Sequence, residues 1–325
     1  MGGRMWGLVA VMMLGLTARA EDGPVQAAEP APVAATWRMA GWLPSPVKVG
    51  YVLRPASLVD NRAVFIDVVR STGRNLWILD ASYDRDVPSR WTFKELHVMK
   101  LTDPQRRILA SLSIATAETW REYWEPEWRD PATRPAWLIG PHDGDPTTWT
   151  VKWWSPEWQD IIHEQIDGVV ARGFDGVLLT GLDEVLSHET VNDVFRPGAV
   201  NPATKRPWRA DMADWVTKVA SYARGGAVGK FMVVGQDAPE LLTQPAYAAS
   251  VDGVLVQDMF RYGPERVGYL EQFIRPFVDG GGTVLVLEDQ RGAGMAAAQS
   301  SNVRGLSMLF SGGERSNLGI SAPAQ

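Results

Sequence analysis

The chain has 325 residues, 45% of them hydrophobic, a formal net charge of −6 and no cysteine. That apolar content is enough for one large core, and the lack of cysteine removes disulfides and thiol chemistry. An acidic balance with no basic tract excludes an electrostatic footprint for nucleic acid.

The N-terminal stretch reads as a secretory signal peptide. Arg4 supplies the positive start, MWGLVAVMMLGL (5–16) the apolar run and Ala18-Arg19-Ala20 the small-residue cleavage site. The run is too short to span a bilayer. Its removal at residue 20 takes two arginines and no acid, leaving a formal charge of −8. Export without cysteine implies a periplasmic or extracellular bacterial protein. Residues 21–36 (EDGPVQAAEPAPVAAT) are Ala/Pro-rich and predict a disordered spacer. Residues 37–316 are then a single domain, with 317–325 as a flexible tail.

Eight apolar runs follow in order: 49–53, 75–80, 108–114, 174–180, 230–237, 251–258, 283–289 and 303–310. Continuous rather than alternating apolar runs indicate burial on both faces, hence parallel strands. Amphipathic stretches lie between them at 156–171, 209–224 and 264–279, the first and last opened by Ser155-Pro156 and Gly263-Pro264. Alternating strands and helices predict an α/β fold, a single-domain (β/α)8 TIM barrel, with a doubly wound open sheet as runner-up. No G-x-G-x-x-G follows the first strand and no P-loop occurs, which weakens the nucleotide-binding form of that runner-up. Segment 115–155 is long for a single connection and predicts loops built over the barrel mouth.

One internal echo is informative. Asp175-Gly176-Val177-Leu178-Leu179-Thr180 aligns with Asp252-Gly253-Val254-Leu255-Val256-Gln257. Strand alternation makes Thr180 and Gln257 equivalent tip positions, where barrels place their chemistry.

Acids near strand ends are Asp80, Asp183, Glu184, Asp237, Asp258, Glu288 and Asp289. Two carboxylates facing a groove are the requirement of glycoside hydrolysis; the competing reading is that tip acids cap helices or pair with arginine. Eight of the 15 tryptophans fall within 120–158. Indoles over a barrel mouth stack on sugar faces, although Trp120, Trp124 and Trp128 also have the spacing of a buried helix stripe. The four histidines, His97, His142, His163 and His188, have no metal-ligand spacing, and neither a metal nor a cofactor is expected. No G-x-S-x-G elbow supports an acyl hydrolase.

LASLSIATAETWREYW (109–124), VKWWSPEWQDII (151–162), GFDGVLLTGLDEV (173–185), VVGQDAPELL (233–242), VQDMFRYG (256–263) and VLVLEDQ (284–290) together resemble the endo-α-1,4-polygalactosaminidase family of glycoside hydrolases. The resemblance covers about residues 40–312. It implies a TIM barrel acting on galactosamine-containing polysaccharide. It also implies carboxylates at the positions of Thr180 and Gln257, and a Gly-Glu-x-Glu where the chain has Ala115-Thr116-Ala117-Glu118. The family's Gln-Asn after the fifth strand is Gln236-Asp237 here. Thr and Gln keep hydrogen-bonding groups but cannot act as carboxylates. The catalytic candidates are therefore Asp183, Asp258 and Glu288. Asp80, Tyr83, Glu118, Arg121, Trp124, Trp153, Trp154, Gln236 and Asp237 are candidate substrate contacts. Three readings stand: a hydrolase with a shifted acid pair, a non-catalytic polysaccharide binder, or a barrel with an unrelated ligand. The sequence does not indicate an oligomeric state.

Overall fold

The computed structural model describes residues 47–85, 89–142, 145–191, 194–288, 306–311 and 317–321. The signal-peptide and spacer segments and Asp289 lie outside these residues.

In chain order the first elements are β1 (Val49–Val52), α1 (Pro55–Leu58), α2 (Arg62–Ser71), β2 (Leu76–Asp80), α3 (Phe93–Lys100) and β3 (Arg107–Ser113). An insertion then supplies β4 (Thr116–Glu118), β5 (Leu138–His142) and β6 (Asp145–Val151). The chain continues through α4 (Pro156–Ala171), β7 (Gly176–Thr180), α5 (Glu184–His188), β8 (Thr190–Val191), β9 (Val194–Phe195) and α6 (Trp208–Gly226). It ends with β10 (Met232–Gln236), α7 (Pro245–Ser250), β11 (Gly253–Gln257), α8 (Pro264–Asp279), β12 (Thr283–Glu288), β13 (Leu306–Ser311) and β14 (Asn317–Ser321).

All eight apolar runs become barrel strands. β1, β2, β3, β7, β10, β11, β12 and β13 pair side by side in parallel. The gap between β13 and β1 is filled by β14, antiparallel to both, which closes the barrel. Residues 317–321 are thus a ninth barrel strand rather than the flexible tail that their sequence suggests. The helix starts follow local chemistry. Thr92 and Glu95 form a reciprocal capping box on α3, Asn61 caps α2, and Pro occupies the first turn of α4 and α8.

Two apolar layers result from the period-2 alternation. Tyr51, Ile78, Leu109, Leu178, Val234, Leu255 and Leu287 fill the barrel interior, while Trp77, Leu79, Val177, Val233, Val256 and Val286 face the helices. The insertion forms a separate antiparallel sheet in the order β4-β6-β5. Residues 120–128 are turns and a short 3₁₀ segment, so the alternative of a helical tryptophan stripe is not realised. Ring contacts instead run from Trp149 through Trp124, Trp128 and Trp137 to Trp158, with centroids 5.1–5.5 Å apart. Trp158 Nε1 and Trp215 Nε1 both donate to the Ile114 carbonyl, at 2.8 and 3.0 Å. That doubly used acceptor ties α4 and α6 to the end of β3.

Candidate active site at the barrel mouth

Alternation fixes what the strand tips present. Counting outward from the interior residues, Asp80, Ser113, Thr180, Gln236 and Gln257 continue the inward-facing set of β2, β3, β7, β10 and β11. Thr180 and Gln257 are both the last residues of their strands, separated in the barrel by β10 alone. Tyr51 from β1 reaches across to donate from its hydroxyl to Gln236 Oε1 at 3.3 Å. After Thr180 the chain turns at Gly181, whose φ is +79° and where a Cβ would stand 3.0 Å from Ser113 Oγ. Only glycine meets both conditions comfortably.

Gln-Asp ends both β10 and β11, and both aspartates have left-handed backbones, with φ of 57° at Asp237 and 53° at Asp258. Ala238 follows at φ 44°. Such positions cost about 1–3 kcal/mol each and gather at functional sites. Each aspartate N–H extends the sheet, Asp237 to Leu255 O at 2.7 Å and Asp258 to Leu287 O at 2.9 Å. Their side chains diverge in use. Asp237 Oδ1 accepts the Gln257 backbone N–H at 2.9 Å, and its Oδ2 accepts from Gln257 Nε2 at 3.1 Å. Asp258 is only 6% exposed, and its carbonyl accepts from Arg266 Nε at 3.0 Å.

Asp183 stands at the N-cap position of α5, yet its side chain makes no cap hydrogen bond. The helix-cap explanation for this tip acid therefore fails. Asp183 is an exposed residue, while the protein packed around its carboxyl raises its pKa, first by desolvation, then by the charge of Glu184, with Glu240 adding to this and His142 opposing it. Asp237 is pushed up to about 7, by burial first and then by the charge of Asp183, while the Gln257 hydrogen bonds pull the other way. The charge of Asp183, just beyond β7, thus acts on Asp237 at the end of the neighbouring strand β10.

The insertion contributes to the same place. His142, the last residue of β5, sits with Nδ1 3.0 Å from Glu184 Oε1, and Glu184 is otherwise buried against Ser187. Buried Glu240 completes an acidic group of Asp183, Glu184, Asp237 and Glu240.

Several sequence candidates have other roles. Glu288 is 1% exposed, shares the helix-facing side of β12 with Val284 and Val286, and accepts the Phe260 N–H at 2.7 Å. It does not reach the mouth, and neither Glu288 nor Asp258 is among the charges acting on Asp183. Arg121 grips Asp80 with two hydrogen bonds of 2.7 and 3.1 Å and Glu118 with a third of 2.6 Å. Burial alone would lower its pKa, but the two carboxylates outweigh that and raise it. Asp80 and Arg121 are buried by this pairing, and only Glu118 keeps some exposure. Tyr83 is buried, with its hydroxyl donating to Val59 O. Trp124 is buried within the indole chain. Trp153 is 0% exposed and has no face to offer a sugar; it packs with half-buried Trp154, His188 and Trp208. The tryptophans therefore build the wall more than they line it. His142 and Glu240 escape sequence reasoning because neither lies at the tip of a barrel strand: His142 ends β5 of the inserted sheet and Glu240 follows β10 in a short 3₁₀ segment.

A barrel of eight parallel strands, closed by one antiparallel strand and carrying two neighbouring carboxyls at its C-terminal mouth, has the form of TIM-barrel glycoside hydrolases. The sequence model of glycoside-hydrolase family GH114 matches residues 81–316, and the chain belongs to that family. Among relatives, it is 33% identical over 201 residues to an uncharacterised protein of Deinococcus radiodurans, covering 62% of this chain and 58% of that one. It is 27% identical over 205 residues to the uncharacterised protein MJ1477 of Methanocaldococcus jannaschii, covering 62% and 55%. The chain thus spans less than two thirds of the length of these relatives. Among solved structures, Ega3 of Aspergillus fumigatus, in complex with galactosamine, aligns with a TM-score of 0.55 at 14% identity over 92% of this chain and 99% of that one. The glycoside hydrolase domain of PelA from Pseudomonas aeruginosa aligns with a TM-score of 0.58 at 13% identity over 86% and 98%. These two likenesses establish the barrel fold.

Proposed function

We propose that this protein binds an α-1,4-linked, galactosamine-type polysaccharide in the barrel mouth and hydrolyses it with Asp183 and Asp237 as its acid pair. The observation that carries this reading is the charge of Asp183 acting on buried Asp237 at the end of the neighbouring strand, with neither carboxyl used as a helix cap. A carboxyl raised to about 7 carries a proton in about half the molecules at neutral pH and can deliver it to a glycosidic oxygen. Asp183, whose ionised form His142 favours, is the partner that takes the role of base or nucleophile. The acidic group at the mouth suits a cationic amino sugar, which is also the kind of ligand in the Ega3 complex. The N-terminal signal pattern supports export to the periplasm or beyond.

A second reading, a non-catalytic binder, is favoured by one observation: both Asp237 oxygens are already held by Gln257. Incubation with partly deacetylated α-1,4-galactosaminan, measuring new reducing ends alongside binding, separates the two. Turnover by the wild-type chain is expected. Binding without turnover, with cleavage appearing only in Thr180→Asp/Gln257→Glu, would favour the binder and reject the acid pair.

A further inference from the structure

Away from Asp183 and Asp237, a recess lies between the described residues of the loop after β2, the turn at 120–122 and one face of α4. Its lining includes Ser82, Arg90, Trp120, Glu122, Gln165 and Arg172, and it encloses about 350 Å³ counting the space open to solvent. Arg172, the C-cap of α4, is half-buried here. Among the described residues its Nε is buried without an acceptor. Burial pulls its pKa down to about 10, with the charge of Arg90 adding to this and Glu122 opposing it. Glu122 does not serve Arg172, because Arg90 holds it through both Nε, at 2.6 Å, and NH2.

A further buried donor without an acceptor lines the recess, Trp120 Nε1. Behind it the Arg85 guanidinium stacks 4.2 Å from the Trp120 ring, its Nε without an acceptor and its NH2 3.6 Å from Asp80 Oδ2. Buried donors left unpaired cost about 1–3 kcal/mol each and charged ones more. An excess of donors, two of them on charged side chains, is complementary to an acceptor-only anion. The sequence also carries a local cost for this arrangement. Gly168 sits inside α4, where glycine is about 1 kcal/mol worse than alanine, and a Cβ there would come within 3.0 Å of Arg172 NH1. The missing methyl is what seats the guanidinium.

We propose that this recess is a second binding site, for a carboxylate group, with Arg172 as its anchor. Planar oxygens match the guanidinium fork, and Asp84 and Glu122 in the lining restrict the ligand to one small anionic group. The carboxylate is either a free acid or one carried by an acidic sugar chain. The site is separate from the acid pair and does not depend on turnover.

Thermal unfolding with sodium acetate and, in parallel, tri-galacturonate tests it, with sodium chloride at matched ionic strength as the control. Both carboxylates are expected to raise Tm over chloride. Equal shifts assign the free acid and a larger shift with the trimer assigns the chain-borne group; either upholds the site. Arg172→Gln is expected to weaken the response by about tenfold or more while leaving the ligand-free Tm unchanged or higher. Gly168→Ala, which crowds the guanidinium without removing it, is expected to blunt the response with no loss of ligand-free Tm. The site is rejected if neither carboxylate shifts the wild type, if Arg172→Gln responds like the wild type, or if Arg172→Gln alone lowers the ligand-free Tm sharply.

Discussion

At the scale of the residue, Asp237 is the most informative position. Its pKa in the fold is raised, to about 7, above the ordinary aspartate value of 3.8. The stability of the neutral form is fully present below the unfolded pKa and is lost as pH rises through the folded one. Asp237→Asn removes that dependence. Its Tm relative to wild type should rise from pH 4 to pH 7 and level off above pH 7; a difference independent of pH would mean that Asp237 is ionised throughout. The matched tips Thr180 and Gln257 are legible in the sequence because alternation and the Asp-Gly-Val echo are local. The acid character of Asp237 is not, because it arises from burial and from Asp183 one strand away, against the pull of the Gln257 contacts. Glu288 misleads for the same reason: its distance along β12 looks right, but its parity turns it to the helices.

At the scale of the element, the inserted sheet does two jobs. Through β5 it brings His142 to Glu184 and to the field of Asp183. Among the charges acting on Asp183, His142 is the one that favours the ionised carboxylate, against Glu184 and Glu240. His142→Ala should therefore raise the Asp183 pKa and move the acidic limb of the kcat–pH profile to higher pH. An unmoved limb would remove His142 from the site. The flanking tryptophans secure the helices. Trp158→Phe and Trp215→Phe each leave one indole on the Ile114 carbonyl. Each should cost about 1 kcal/mol, or about 2–4 °C in Tm, with the double variant losing more than the sum because the carbonyl is then unpaired. A strictly additive double would show that the shared acceptor does not matter. The parallel strands and the helices over 156–171 and 264–279 are readable from continuous apolar runs and proline starts. β14 is not, because its short glycine-containing stretch has little apolar signal and becomes a strand only between β13 and β1.

At the scale of the whole molecule, a closed barrel gathers residues from β7, β10, β11 and an inserted hairpin at one end. That convergence turns dispersed acids into a site. The account stands on Asp183 and Asp237 working together on an amino-sugar chain. The most direct measurement is reducing-end release from partly deacetylated α-1,4-galactosaminan by wild type, Asp183→Asn, Asp237→Asn and the double variant, with binding followed in the same samples. The account predicts a loss of about 10²-fold or more in kcat for each single variant, little further loss in the double, and binding retained. Full turnover in either single variant, or no turnover by the wild type under any of these conditions, would contradict it.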